Sequence, residues 1–232
     1  MTLVATDMAT NLGQREECLV LGRVALMWDE GTQPPCEEHV AAVVSLALAA
    51  ESATDSGAGP GVESAGGPVV VALDGPSGAG KTTLARGVAS ALEAFGTVAV
   101  VHLDRICPGW DGLAQAPALL ATQVLEPLAR GEHAAYRLWS WVRDEWAGTR
   151  EVAPSRFLVV EGCGASVGPA RAYAAVSVFV DADPALRRRR GLERDGETYR
   201  PHWQRWADQE TALFAEDRTR ERADLVLDTS TL

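Results

Sequence analysis

A glycine-rich stretch at 75–82, Gly-Pro-Ser-Gly-Ala-Gly-Lys-Thr, constrains the fold of this chain more than any other feature. An apolar run at 68–73 precedes it, and a helix-favouring run at 81–95 follows. This order of strand, glycine loop and helix start makes the spacing G-x-x-x-x-G-K-T the Walker A signature of a phosphate-binding loop. In such a loop the backbone N–H groups converge on one anion, and the helix dipole adds partial positive charge.

Two side chains at the end of this loop have expected roles in nucleotide binding. Lys81 is expected to reach the terminal phosphates of a nucleotide, and the hydroxyl of Thr82 is expected to ligate Mg²⁺. Of the 21 basic residues 20 are arginine, so Lys81 is the only lysine of the chain. A compact ammonium is kept where phosphate binding requires one. With ATP and Mg²⁺ as the expected cofactors, the predicted nucleotide-binding residues are Gly75, Pro76, Ser77, Gly78, Ala79, Gly80, Lys81, Thr82 and Thr83.

Charge and composition divide the chain into three parts. Residues 1–67 hold 10 acidic and 2 basic side chains, a net charge of −8, whereas the rest hold 22 and 19, a net charge of −3. Gly, Ser and Ala dominate residues 52–67, as in a flexible linker. We therefore predict an acidic, partly helical N-terminal extension at 1–51, a linker at 52–67 and a main domain at 68–232. The helix expected at 37–51 favours packing on the main domain over partner binding.

Composition also argues against several classes of protein. The net charge of −11 disfavours nucleic acid as a partner. The uncharged apolar stretch at 40–50 is shorter than the about 20 residues that span a bilayer, and no basic region precedes it. Four scattered cysteines without C-x-x-C pairs are typical of buried thiols rather than of a zinc site or disulfides. We expect a cytoplasmic enzyme that acts on a small molecule without a membrane partner, and its oligomeric state stays open.

From residue 68 onward, apolar strands alternate with helices. Strands are predicted at 68–73, 97–103, 156–160, 175–180 and 224–227, and helices at 81–95 and 117–130. This alternation predicts a three-layer α/β fold, with a parallel five-stranded sheet between helices. Ligands of such sheets bind beyond the carboxyl ends of the strands.

Two carboxylates end predicted strands at that edge of the sheet. Asp104 follows the second strand and is expected to accept a proton from an attacking hydroxyl or to help hold the magnesium shell. A helix cap or a salt bridge to Arg105 is the alternative. Glu161 ends the third strand and is expected to bind Mg²⁺ with Thr82, unless it only caps the following turn. His102 is interpreted as a packed core residue in preference to one that orients Asp104.

The densest basic run of the chain lies at 187–190 and is followed by Arg194. On a helix, Arg187, Arg190 and Arg194 share one face. Three guanidinium groups on one face can stabilise a transferring phosphoryl group by their charge. A solvated charge run is the alternative interpretation.

Together these pieces resemble the uridine kinase-like family of phosphate-loop nucleoside and nucleotide kinases. The resemblance spans about residues 68–228 and rests on VALDGPSGAGKTTLA, Asp104, VVEG at 159–162 and FVDADPALRRRRGLERD at 179–195. It implies a phosphate-loop NTPase fold with a helical arginine lid. In that family Asp104 would be the general base for the acceptor hydroxyl, and Arg187, Arg190 and Arg194 would contact the phosphates of ATP.

The activity implied is transfer of the γ-phosphoryl group of ATP to a small-molecule acceptor, first of all a nucleoside or a nucleoside-like compound. A nucleoside monophosphate kinase is one alternative. Another is an ATP-hydrolysing regulatory or assembly protein whose N-terminal segment is the partner surface.

The substrate region departs from the family pattern. Arg105 and Ile106 follow Asp104 where uridine kinases have an aromatic pair, and Gly191 stands where an arginine is common. The region instead contains several tryptophans, whose flat faces suit rings although large aromatics more often belong to a core. The candidate substrate contacts, expected in loops above the sheet, are Trp110 and Tyr136, with Asp111 and Arg137 as polar contacts.

Overall fold

Five parallel strands form the central sheet of this protein. The computed structural model describes residues 34–55 and 67–231, and the described residues from Pro35 onward belong to one compact unit. In chain order the strands are β1 (Val69–Asp74), β2 (Val98–His102), β3 (Ala134–Ser140), β4 (Glu145–Val152), β5 (Phe157–Glu161), β6 (Val176–Asp181) and β7 (Leu225–Asp228). The five-stranded sheet has the order β2-β5-β1-β6-β7, and all its pairs are parallel. The predicted α/β fold and its parallel sheet are confirmed.

Helices cover both faces of this sheet. In chain order they are α1 (Glu37–Asp55), α2 (Lys81–Leu92), α3 (Ala116–Leu120), α4 (Glu126–Ala129), α5 (Pro184–Tyr199), α6 (Trp203–Asp217) and α7 (Thr219–Arg222). Side chains of β1 alternate between two hydrophobic clusters, with Val70 and Ala72 in one and Val71 and Leu73 in the other. Two-sided burial explains the continuous apolar runs of the strands. Within the described ranges no helix is long and apolar enough to cross a membrane.

Helix α1 packs on the main sheet. Its Val43 and Ala47 are completely buried in the cluster that contains Val71. Both carboxylate oxygens of Glu51 accept hydrogen bonds from Arg156, at 2.6 and 3.0 Å. The helix therefore packs as the sequence favours, and it continues past the predicted end at residue 51. The remainder of the predicted extension, 1–33, and most of the predicted linker lie outside the described residues, so the division into three parts stays a prediction.

The helix predicted at 117–130 contains an irregular turn. Between α3 and α4 the chain forms a π-helical turn, Ala121–Leu125. Pro127 lies directly after this turn, in the first turn of α4. Proline has no N–H to donate to the preceding turn and its ring crowds that turn, which accounts for the wider winding before it.

An antiparallel hairpin of β3 and β4 replaces the loops predicted for this region. The prediction that Tyr136 lies in a loop is wrong, because Tyr136 lies in β3 together with Arg137. Tyr136 is completely buried and belongs to the core cluster on its side of the sheet. The alternation of YRLWSW is broken where Leu138 and Trp139 stand side by side, at the register shift of the hairpin. This break obscures the apolar–polar contrast that normally reveals a half-buried strand.

Candidate functional site

The glycine loop at 75–82 connects β1 to α2. Gly75 has a φ angle of 132° and Gly78 one of 78°, in the region that side chains other than glycine rarely adopt. A side chain at Gly75 would collide with the carbonyl oxygen of Val180 in β6, and one at Gly78 with the backbone of Arg187 in α5. The loop is therefore held by backbone contacts between the sheet and the arginine-bearing helix.

Lys81 is buried, with its ammonium group folded onto the loop. Nζ donates hydrogen bonds to the carbonyl oxygens of Gly75 at 2.8 Å and Pro76 at 2.9 Å. Burial opposes the charged form, but the Cys163 sulfur and the Glu161 carboxylate, with more distant acids, raise the pKa of Lys81 above its usual value. A full positive charge is thus kept beside the loop.

Glu161 binds two side chains through one oxygen. Its Oε1 accepts a hydrogen bond from the Thr82 hydroxyl at 3.2 Å and lies 2.7 Å from Nδ1 of His102. Burial would raise the pKa of Glu161, but the hydrogen bond and charge of His102, followed by the charges of Lys81 and Arg194, hold this pKa below its usual value. The structure therefore brings an ionised carboxylate beside Thr82, the pair expected to hold Mg²⁺.

Asp104 lies one strand away from Glu161, in the 3₁₀ turn Leu103–Arg105 that follows β2. Its Oδ1 is buried and has no hydrogen-bond partner among the described residues. Burial, and after it the charge of Glu161, raise the pKa of Asp104, and the charges of His102 and Arg194 oppose this rise. A carboxylate with an uncommitted oxygen and a raised pKa is well suited to accept a proton.

Arg187 and Arg190 fasten the arginine-bearing helix α5 to the end of the sheet. Nε of Arg187 donates to the carbonyl oxygen of Ala182 at 3.1 Å and lies 3.6 Å from Asp181. Arg190 donates to the hydroxyl and the carbonyl oxygen of Thr229, at 3.0 and 3.1 Å. In this arrangement both guanidinium groups contact oxygen atoms of the protein itself.

Arg194 is the member of the predicted arginine face that the structure brings to the carboxylates. Its guanidinium group forms a forked pair with Asp195, at 2.8 and 2.7 Å. Its charge lowers the pKa of both Asp104 and Glu161. The three arginines share one helix, and the charge of Arg194 reaches both carboxylates of the site.

Asp74, the last residue of β1, was not singled out from the sequence. It accepts hydrogen bonds from the backbone N–H groups of Gly75 at 2.7 Å, Gly164 at 2.8 Å and Ser166 at 2.7 Å, and from the Ser166 hydroxyl at 2.9 Å. It thereby ties the glycine loop to the loop that follows β5. The sequence feature that could have identified Asp74 is its position directly before the glycine loop.

Glu210 of helix α6 is the second acid that the sequence did not reveal. Its Oε1 accepts hydrogen bonds from the backbone N–H of Ser77 at 2.8 Å, from Nε1 of Trp206 at 2.7 Å and from Sγ of Cys163 at 3.0 Å. A carboxylate therefore holds one N–H group of the glycine loop. No local motif marks it, because Ser77 and Cys163 lie far away along the chain.

Known proteins resemble this chain in structure rather than in sequence. No family model matches the sequence, and no curated protein matches it significantly. A solved structure described as a possible uridine kinase from Bacillus stearothermophilus superposes with a TM-score of 0.52 and 19% identity, covering 79% of this chain and 97% of that one. The structure of the YGR205w protein gives a TM-score of 0.52 at 9% identity, covering 82% and 92%.

The chain therefore shares the α/β phosphate-loop fold of these two structures. In this fold the carboxyl ends of β1, β2 and β5 carry the glycine loop, Asp104 and Glu161 at one edge of the sheet. That edge is where open α/β sheets bind their ligands.

An aromatic cluster connects Asp104 to the glycine loop. The Trp110 ring stacks on the His202 ring with centroids 4.3 Å apart and an interplanar angle of 10°. Trp141 contacts Trp110 edge-on and donates from Nε1 to the Asp104 carbonyl oxygen at 3.0 Å. Trp206, also edge-on to Trp110, donates to the Ser77 hydroxyl at 3.0 Å. Trp110 therefore lies where a substrate contact was predicted, although its flat face is covered by His202.

The other three candidate substrate residues lie in different surroundings. Tyr136 is buried, and its hydroxyl has no hydrogen-bond partner among the described residues. Asp111 is exposed and paired with Arg205. The Arg137 guanidinium group stacks on Trp146, 4.4 Å from the ring centroid. Only Trp110 of the four joins the cluster beside Asp104.

The described residues fit a nucleotide with Mg²⁺. They contain no cluster of three or more His, Cys, Asp or Glu side chains that could hold a metal ion. Mg²⁺ in phosphate sites needs no such cluster, because one or two protein oxygens suffice when phosphates and water complete the shell. The Thr82 hydroxyl and the Glu161 carboxylate are oxygens of this kind, and Lys81 supplies the charge that terminal phosphates require.

Proposed function

We propose that this protein is a kinase that transfers the γ-phosphoryl group of ATP, with Mg²⁺, to a hydroxyl group of a small molecule. The observation that carries the proposal is the pair of carboxylates at adjacent strand ends beside the glycine loop. Glu161 is bound to Thr82 and ionised, and Asp104 has an uncommitted oxygen and a raised pKa. Such a division separates metal binding from proton transfer.

In this proposal the magnesium nucleotide supplies the phosphoryl group and neutralises part of its charge. Lys81 and the loop N–H groups hold the phosphates, and Thr82 and Glu161 supply the metal oxygens. Asp104 orients the acceptor hydroxyl and takes its proton at a carboxylate oxygen. Arg194 extends positive charge over this region, as phosphoryl transfer requires.

A compound with a flat ring is the acceptor class that the surroundings favour. Trp110, Trp141 and Trp206 form an aromatic cluster whose indole N–H groups reach the Asp104 carbonyl oxygen and the Ser77 hydroxyl. Aromatic faces bind planar rings by stacking and dispersion. A nucleoside or a nucleoside-like compound is therefore the first acceptor to examine, and a nucleoside monophosphate the second.

A screen for acceptor-dependent ADP release tests the proposal. Purified protein with ATP and Mg²⁺ is mixed with nucleosides, nucleoside monophosphates and ring-bearing metabolites, and ADP and phosphorylated product are measured together. We expect ADP to form in proportion to product with at least one acceptor. The Lys81→Ala variant should lose turnover with every acceptor. ADP formation that is equal with and without every acceptor would show hydrolysis instead and contradict the kinase assignment.

A further inference from the structure

We propose that His102 is a positioning residue that holds the Glu161 carboxylate in the orientation that binds Mg²⁺ beside Thr82. The inference rests on the proposed function, because it concerns the metal of the nucleotide. It also revises the interpretation of His102 as a packing residue.

The position of His102 in the sheet places it beside Glu161. His102 ends β2, Glu161 ends β5, and the two are register partners in adjacent parallel strands. Register partners project to the same face of a sheet. The two side chains therefore meet at the edge of the sheet that carries the glycine loop, with 2.7 Å between Nδ1 and Oε1.

The chemistry of the pair specifies which atom is the donor. A carboxylate that binds a metal ion is ionised, and an ionised carboxylate can only accept hydrogen bonds. The hydrogen between Oε1 and Nδ1 of His102 is therefore carried by the histidine. Since the Thr82 hydroxyl donates to the same Oε1, two donors converge on one oxygen.

This convergence fixes the plane of the carboxylate through one of its two oxygens. Among the described residues no hydrogen bond engages Oε2, so this oxygen is available to a metal ion or to a metal-bound water. The hydroxyl oxygen of Thr82 keeps its lone pairs while its hydrogen points to Glu161. Both groups thus have oxygen lone pairs available to a metal ion. The hydrogen bond from His102, at the end of β2, holds the Glu161 carboxylate in this geometry.

A packing role alone does not account for His102. Its side chain is 23% exposed, whereas Val101 and Leu103 on either side of it are buried. It also does not bind Asp104, whose Oδ1 has no partner in the described part of the chain. Among the described residues, the hydrogen-bond partner of the ring is Glu161.

Loss of such a partner leaves the carboxylate free to rotate away from the metal. Groups that orient metal ligands are worth about 10- to 100-fold in metal affinity. We therefore expect removal of the His102 donor to weaken Mg²⁺-dependent ATP binding by about this factor. ATP binding without metal depends on the loop and Lys81 and should change by less than about 3-fold, within the spread of an unrelated substitution.

The experiment compares ATP binding by calorimetry with Mg²⁺ and with EDTA, in the full chain. His102→Leu removes the donor at similar size, and His102→Asn retains an N–H donor on the atom bonded to Cγ, where Nδ1 stands. His133→Leu is the matched control, since His133 is exposed and outside the site. Thermal unfolding of each variant verifies folding, and His102→Val, which suits a strand, takes the place of His102→Leu if that variant does not fold.

The expected result is a loss of Mg²⁺-dependent affinity in His102→Leu, recovery in His102→Asn, and no change in His133→Leu. Equal weakening with Mg²⁺ and with EDTA, or no weakening, would overturn the role of His102 and leave the proposed function standing. A wild-type protein that binds ATP in neither condition would instead overturn the proposed function itself.

Discussion

Asp104 and Glu161 are two carboxylates at adjacent strand ends whose pKa values move in opposite directions. Burial raises the pKa of both, but hydrogen bonding from His102 and the charge of Lys81 reverse the shift at Glu161. Asp104 lacks such a bond at Oδ1, so burial and the charge of Glu161 prevail there. The different hydrogen-bond partners, rather than the residue type, separate the two roles.

Asp104→Asn tests the general-base role at this scale. The amide keeps the shape of the side chain but cannot take a proton. Phosphoryl transfer should therefore fall by about 10²- to 10⁴-fold, the range for a positioned general base, while ATP affinity stays unchanged. Steady-state rates with the best acceptor and calorimetric ATP binding measure the two quantities. Transfer at a near-normal rate would remove Asp104 from this role.

The reactivity of the buried thiols is a second property of single residues. Burial raises the pKa of Cys107 to about 12 and that of Cys163 well above its ordinary value. The thiolate is the reactive form, and a raised pKa depletes it at every pH below that pKa. At pH 8 the thiolate fraction of Cys107 is about 10⁻⁴. In a Cys18→Ser, Cys36→Ser variant, labelling by a thiol-specific disulfide reagent at pH 8 should be slow for the folded chain.

Unfolding the same variant in urea is the internal control for this labelling. Both remaining thiols should then react at the rate of a free cysteine. Rapid reaction of either thiol in the folded chain would show that it is more exposed or more ionised than its surroundings indicate.

At the scale of elements, the helices that bear arginine and tryptophan pack through a glycine. Gly191 is buried in α5, and a Cβ added there would lie 2.7 Å from Cζ3 of Trp203 in α6. The family resemblance placed an arginine at this position, and the tryptophan ring explains why this chain cannot have one in the same packing. The departure from the family is thus a packing requirement between α5 and α6.

Gly191→Ala should destabilise the protein by about 1–3 kcal/mol, because overpacking moves α5 away from α6. The opposite sign is normal within helices, where alanine is favoured over glycine by about 1 kcal/mol. Urea unfolding measures the difference. In the Gly191→Ala, Trp203→Leu double variant the smaller side chain should relieve the clash, so the two effects should not add. A stabilised single variant would contradict the close packing.

At the scale of the whole molecule, helix α1 belongs to the same core as the sheet. Val43 and Ala47 are buried against strand residues, and Glu51 is tied to Arg156 beside β5. The acidic character of residues 1–67 therefore does not separate this helix from the main domain. Net charge describes a surface, whereas burial is decided by the apolar side chains on the opposite side of the helix.

Two shortened chains test this organisation. A chain that begins at Pro35 keeps α1 and is the reference for this test. A chain that begins at Pro68 exposes the surface covered by Val43 and Ala47 and should lose at least about 3 kcal/mol of stability. Equal stability of the two shortened chains would show that α1 contributes nothing to the core.

The sequence predicts those parts of the fold that depend on local patterns of residues. The strands of the main sheet appear as short apolar runs, and the loop at 75–82 has a fixed spacing before a helix. The hairpin of β3 and β4 gives no such signal, because adjacent Leu138 and Trp139 break the apolar–polar alternation of β3. Tyr136 was accordingly misplaced in a loop.

By itself the sequence determined the glycine loop, the order of the strands along the chain and the acids at their ends, since each depends on neighbours within a few residues. Only the tertiary structure decided the partners of those acids. Ser77 and Glu210 meet across 133 residues, and Asp74 and Ser166 across 92. His102 and Glu161 are 59 residues apart and adjacent only in the sheet. Such contacts depend on strand order and register, which the whole chain decides together because both faces of the sheet must be buried at once.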